Sequence, residues 1–274
     1  MLSHAGPMTL TARDSALMFN LLKGPDPRDH QALPDDGLDY RQTALPKTLR
    51  VGYAPTLFGV PVAPAIDKVV REAVSHLAGV LPVRIEEVSP VWPDPIAIFE
   101  TLWVAGRGVA YGAGADLAQF GSGFAGLITA SRRYGLADYL EAVKARAAFA
   151  GQVHGWFRDF DLLVLPTLPV EPFPAGLEAP ESHPSGSEVL RWTGWTPFTY
   201  PFNITGNPAA SLPCGISPAG NPVGLQIVGR RHADALVMAF AQVAELHLGM
   251  TDQIPPLADA GGAGANTRPA GGTP

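Results

Sequence analysis

A chain of 274 residues with a 46% hydrophobic share is long enough to fill a sizeable core, which excludes a disordered polypeptide. Charged residues make up only 16%, against about 25% in an average globular domain, while 30 Gly and 28 Pro call for many loops. The net charge of −6 comes with no Lys/Arg cluster, so the electrostatic footprint of a nucleic-acid binder is missing.

The one cysteine, Cys214, cannot form an internal disulfide, which fits a reducing compartment. The opening MLSHAGPMTLTAR has no apolar stretch behind a basic start, and no run reaches the roughly 18 apolar residues of a membrane span. The expectation is a cytoplasmic protein with no nucleic-acid or membrane partner.

Thr11 has the side chain of an N-cap for a helix running to Leu22, with Leu17, Met18, Leu21 and Leu22 as its apolar stripe and Gly24-Pro25 as its stop. Residues 25–48 are polar and turn-rich. Leu49 to Ala54 then looks like a short strand, Ala65 to Ala78 like a helix, and Val83 to Val88 like a strand. The helix buries Ile66, Val69, Val70, Ala73, Val74 and Leu77 by spacing. Residues 95–158 lack proline after Pro95 and predict several helices, the clearest from Leu136 to about Phe157. Asp161 to Leu165 is nearly all apolar and reads as a strand buried on both faces. A Pro/Gly/aromatic-rich stretch over 166–207 precedes strands at Ala209 to Leu212 and Gly224 to Val228 and a final helix from Ala233 to Leu248. Residues 258–274 hold little to bury and are expected to be a disordered tail, leaving 1–257 as the folded part. The fold class is α/β around a mixed sheet flanked by helices, with fewer strands than a complete domain of this length would carry.

Local motifs for chemistry are scarce. Gly121-Ser122-Gly123 follows no strand and lacks the spacing of a nucleophile elbow, and Leu127 stands where a phosphate loop needs lysine. The 7 histidines are scattered, with no i, i+4 pair for a metal. Glu86 and Glu87 are adjacent on a strand and therefore face opposite ways. Cys214 in SLPCG reads as a small packed thiol, and Lys23, Lys47, Lys68 and Lys144 as solvated side chains. No metal or cofactor is called for.

The densest constellation is PFNITGNPAASLPCG (Pro201 to Gly215) followed by NPVGLQIVGRR (Asn221 to Arg231). It resembles the closing segment of the amidase signature family of hydrolases. DLLVLPTLP (Asp161 to Pro169) resembles that family's strand and Pro-Thr-x-Pro loop, and SHAGPMTLTARDSALMFNLLKGPDPRD (Ser3 to Asp29) resembles its Gly-Pro-Met passage. The order matches too. Gly206, Pro208, Pro213, Gly215 and Gly224 make structural sense as turn, strand-end and close-approach positions.

The resemblance implies acyl transfer from an amide: a serine attacks the carbonyl, a second serine in a cis peptide links it to a lysine base, and backbone amides hold the oxyanion. In that family these residues precede the Gly-Pro-Met motif, here Gly6-Pro7-Met8. No serine or lysine of this chain can be assigned to them, so no catalytic residue is expected here. The resemblance implies the C-terminal half of an amidase domain, inactive alone, with a separately encoded N-terminal half as a candidate partner and a small-molecule amide as substrate. Its pocket walls would be Trp103, Thr167, Trp195, Thr196 and Phe198, whose aromatic members suit an apolar acyl or aryl group and equally suit a core. Relatives that hydrolyse glutamine for tRNA amidation carry an acidic residue seven positions before the family asparagine; counting back from Asn203 gives the uncharged Thr196. The alternative readings are a non-catalytic partner or binding subunit that completes a split amidase, and a fragment of the glutamine-hydrolysing chain of such an amidotransferase.

Overall fold

The computed structural model describes residues 2–29, 32–111, 114–180, 187 and 189–251. The expected tail at 258–274 lies outside the described residues. Helix α1 (Ala12–Leu22) starts where Thr11 accepts a hydrogen bond from the Asp14 amide at 3.0 Å. Strand β1 (Arg50–Tyr53), helix α2 (Pro64–Val80) and strand β2 (Arg84–Glu87) form a parallel strand, helix, strand unit. Pro64 opens α2 at a position where its missing N–H costs nothing. The six apolar residues expected to be buried on α2 are all buried.

Helices α3 (Ile96–Tyr111), α4 (Ser122–Ser131) and α5 (Leu136–Trp156) occupy the proline-free stretch. Strand β3 (Leu162–Pro166) follows, then helix α6 (Tyr200–Thr205), strand β4 (Ala209–Ile216), strand β5 (Pro222–Gly229) and helix α7 (Asp234–Leu248). The sheet is five-stranded and mixed, in the order β2-β1-β3-β5-β4. β3 runs parallel to β1, pairing Gly52 with Leu163, and antiparallel to β5, pairing Pro166 with Leu225.

Two hydrophobic clusters cover the two faces. Leu163 and Leu165 pack with α3 to α6 through residues such as Phe99, Phe149, Val153 and Phe198. Leu162 and Val164 pack with α2 and α7 through Val70, Leu77, Phe240 and Ala241. Alternating side chains on a twice-buried strand thus reach both layers.

Three expectations change. The α1 stripe of Leu17, Met18, Leu21 and Leu22 is exposed, and the helix packs on α7 through Ala12 and Ala16 instead. Two small residues let the helices approach closely, and the Glu245 carboxylate on α7 accepts the Ala12 amide at 2.9 and 3.0 Å. Strand β4 does not end at Leu212 but continues to Ile216 past an irregularity between Pro213 and Gly215. It lies at the sheet edge, where a residue without an N–H is tolerated. Within the Pro/Gly/aromatic-rich stretch, for which no helix was expected, Tyr200–Thr205 forms α6, closed by Gly206 at a φ of 73°.

Gly52 sits where any side chain would collide. A Cβ there would lie 2.8 Å from Trp156 Cη2 and 3.0 Å from Val88 Cγ2. The Trp156 ring cannot swing aside, since it stacks on Phe160 at 4.4 Å and meets Trp92 edge-on. Gly52→Ala is expected to lower stability by about 1–3 kcal/mol, the usual cost of overpacking. Urea unfolding followed by tryptophan fluorescence measures it, and a variant as stable as the parent contradicts this packing.

Candidate functional site

Beyond the carboxyl end of β3 the chain turns outward at Thr167 and forms one wall of a cavity of about 430 Å³. Leu168, Val170, Pro172 and Phe173 supply that wall, Trp195 adjoins it, and Ser211 of β4 with Pro222, Val223 and Gly224 of β5 also lines the cavity. Ile66 reaches it from the first turn of α2. The lining is mostly apolar, and the volume lies in the range of small-molecule sites.

This lining is held tightly. The Thr167 amide donates to the Gly224 carbonyl at 2.8 Å, and the Thr167 and Ser211 hydroxyls lie 2.6 Å apart. A Cβ at Gly224 would be 2.7 Å from Thr167 Oγ1, so only glycine lets the loop and the strand come this close. Trp195 is fixed by two contacts: its indole N–H donates to the Glu178 carbonyl at 2.9 Å, and its ring meets Phe173 edge-on at 5.6 Å. Among the polar groups at the wall is Glu171, whose Oε1 is buried without a hydrogen-bond partner.

Trp103 lines a separate depression of about 250 Å³ with Phe99, Trp192, Tyr200, Asn203 and residues 2–4. Here Phe99 and Trp103 stack at 5.5 Å, Trp192 meets both edge-on, and the Asn203 amide donates to the Leu2 carbonyl at 2.8 Å. Burial and the nearby Asp94, 2.8 Å from its hydroxyl, push the Tyr200 phenol well above its usual range.

The five residues expected to shape a pocket are therefore not gathered in one place. Thr167 and Trp195 share the larger cavity, and Trp103 lies in the smaller one. Thr196 and Phe198 line neither. The Thr196 hydroxyl donates to the Trp192 carbonyl at 3.3 Å, and Phe198 is fully buried in the core. The Phe198 carbonyl accepts the side-chain amide of buried Gln226 at 2.7 Å, which ties the loop before α6 to β5. Glu171, Ser211 and Asn221 join the cavity without any local pattern that marks them.

Other readings hold or shift. Cys214 is buried, and desolvation pushes its thiol up to about 12. Glu86 pairs with Arg84 at 3.0 Å and Glu87 with Arg71 at 2.8 Å, as adjacent strand residues should. Lys23 is not a free solvated side chain: it pairs with Asp35 at 2.9 Å and with Asp36. Among the described residues, no group of three or more His, Cys, Asp or Glu is placed to hold a metal, and no helix is long and apolar enough to cross a membrane.

The amidase family profile matches residues 1–238. The chain belongs to the amidase signature family. It is 31% identical over 261 residues to an acylamidase of Rhodococcus erythropolis, covering 87% of this chain and 51% of that protein. It is 30% identical to the A-subunit of glutamyl-tRNA(Gln) amidotransferase from Moorella thermoacetica, covering 90% of this chain and 55% of the relative. A bacterial aryl acylamidase of the amidase signature family superposes with a TM-score of 0.74 at 26% identity, over 93% of this chain and 57% of that structure. The chain thus spans about half the length of the curated relatives it matches.

Two measurements check this amidase framework. Gln226→Leu leaves the Phe198 carbonyl unpaired in the core and is expected to cost about 1–3 kcal/mol in denaturant unfolding; an unchanged midpoint contradicts the tie. Cys214 is expected to resist Ellman's reagent at pH 8 in the native chain and to react once the chain is unfolded in guanidinium.

Proposed function

We propose that this chain provides the substrate-binding walls of an amidase that hydrolyses the C–N bond of a small apolar or aryl amide. The observation that carries the reading is the apolar cavity built by the Pro-Thr-x-Pro loop after β3, the stretch through which the sequence resembles the family. Phe173 and Trp195 offer flat apolar surface to an acyl or aryl group, and Thr167 with Ser211 marks a polar part of the lining. In the reaction proposed, a serine oxygen attacks the amide carbonyl while its proton passes through the bridging serine to the neutral lysine, the C–N bond breaks, and the amine leaves with that proton returned by the same route. Water then releases the acid. Neither the serines nor the lysine has a counterpart in this sequence, so the chain alone is proposed to be inactive and to act with polypeptide that carries them.

The alternative, a fragment of a glutamine-hydrolysing amidotransferase chain, has less support. Thr196, the residue at the position of the ammonium-binding acid, is uncharged and bonded to its own turn.

Co-expression with the preceding reading frame, followed by assay on aliphatic and aryl amides, tests the reading. The chain alone should give no turnover, the completed protein should hydrolyse aryl amides, and Trp195→Ala should raise KM about tenfold with kcat little changed, as loss of uniform binding predicts. Turnover by the chain alone that a serine-directed inhibitor abolishes overturns it.

A further inference from the structure

The two edges of the sheet are unlike. β2 has only 4 residues, and Arg84, Glu86 and Glu87 among them are charged, with Arg84 paired to Glu86 at 3.0 Å and Glu87 to Arg71 at 2.8 Å. Short length and charge are how natural sheets keep an edge from pairing with another chain. β4, at the other edge, has 8 residues, and no charged residue occurs from Asn207 to Gly229. The direction of its backbone groups follows from its pairing. The Gly229 amide donates to the Pro208 carbonyl at 2.9 Å, and the antiparallel register continues with Ala209 opposite Val228. Ladder bonds alternate along such a pair, so Ala210 and Leu212 face β5 while Ala209 and Ser211 turn their N–H and C=O outward. Both residues are exposed, and no described residue outside the ladder bonds those groups. Pro213 and the irregularity beside it blunt the rest of the edge, leaving residues 209–212 open.

Position decides what such an edge can receive. Ser211 also lines the cavity beyond β3. With neighbouring strands about 4.8 Å apart, a strand added to β4 runs about 5 Å from Ser211, whereas one added to β2 would lie three spacings, about 14 Å, from β3. The side chains along the open stretch are small (Ala209, Ala210 and Ser211), and no charge there has to be desolvated. The chain spans about half the length of its relatives and has no counterpart of the serines and lysine, and a nucleophile has to come within about 3–3.5 Å of the amide carbon.

We propose that residues 209–212 of β4 are the docking edge for the polypeptide that carries those serines and the lysine. It adds a strand there, hydrogen-bonded through the outward groups of Ala209 and Ser211, and so places its own residues beside the cavity. This rests on the reading above that the chain acts with such a polypeptide.

The test co-expresses the full chain with a tagged N-terminal part of the Rhodococcus erythropolis acylamidase, up to where its match with this chain begins. Deuterium uptake is then read amide by amide, by electron-transfer fragmentation, in the purified pair and in the chain alone. The Ala209 and Ser211 amides are expected to exchange about tenfold more slowly in the pair. Ala209→Pro removes one outward donor without touching the ladder, and Ala209→Lys puts a charge on the edge; each should cut the co-purified chain about tenfold while the variant alone keeps the parent's urea midpoint. No co-purification, protection at β2 with none at β4, or full recovery of both variants overturns the inference. Slow exchange of the same two amides in the chain alone, rising with its concentration, gives the edge to a second copy and overturns it too. Aryl amide hydrolysis by the pair with β4 exchange unchanged removes this inference and leaves the proposed function standing. Docking at β4 without any amide hydrolysis does the reverse.

Discussion

β3 pairs on both edges and is covered on both faces, and the rest of the molecule depends on that. Its backbone is bonded in parallel to β1 and antiparallel to β5, and all five of its residues are buried. Leu163 and Leu165 anchor the layer of α3 to α6, while Leu162 and Val164 anchor α2 and α7. Burying this many aliphatic side chains provides the main driving force, at roughly 1.5–3 kcal/mol for each fully buried one. The strand also fixes where the chain emerges, since Pro166 ends the ladder opposite Leu225 and Thr167 turns out beside Gly224.

The cavity is a consequence of that exit. A loop leaving a twice-paired strand has no room to continue in the sheet plane, and the tight contact of Thr167 with Gly224 and Ser211 steers it over the ends of β4 and β5. Trp195 extends the wall beside Phe173, and the segment that follows it is tied to β5 where Gln226 donates to the Phe198 carbonyl. The rigid sheet thus positions the loop that lines the cavity, the usual division of labour between framework and loop.

Legibility in the sequence followed the range of the forces involved. The α2 stripe and the apolar run of β3 were readable because burial on one face or both imprints a period on the residues themselves. The α1 stripe was readable as a helix signal but pointed to the wrong face: periodicity says which residues share a side, and the partner, here α7 through Ala12 and Ala16, says which side is used. Helix α6 was hidden because YPFNIT is one short turn pair inside a Pro- and Gly-rich stretch, stabilised by burial of Tyr200, Phe202 and Ile204 rather than by propensity. β4 looked shorter than it is because Pro213 reads as a stop, and only its place at the sheet edge makes that proline harmless.

The sequence by itself determined the family, the α/β class and the order of elements, since motif residues and hydrophobic periods are local properties of the chain. It also brought Thr167 and Trp195 into view as wall residues. Only the tertiary structure decided that these two meet in one cavity while Trp103 faces another, that Phe198 belongs to the core, and that Glu171 sits among apolar walls with an unpaired oxygen. Those facts depend on strand pairings that bring β4 and β5 beside the loop after β3, contacts between residues far apart in the chain that no local pattern encodes.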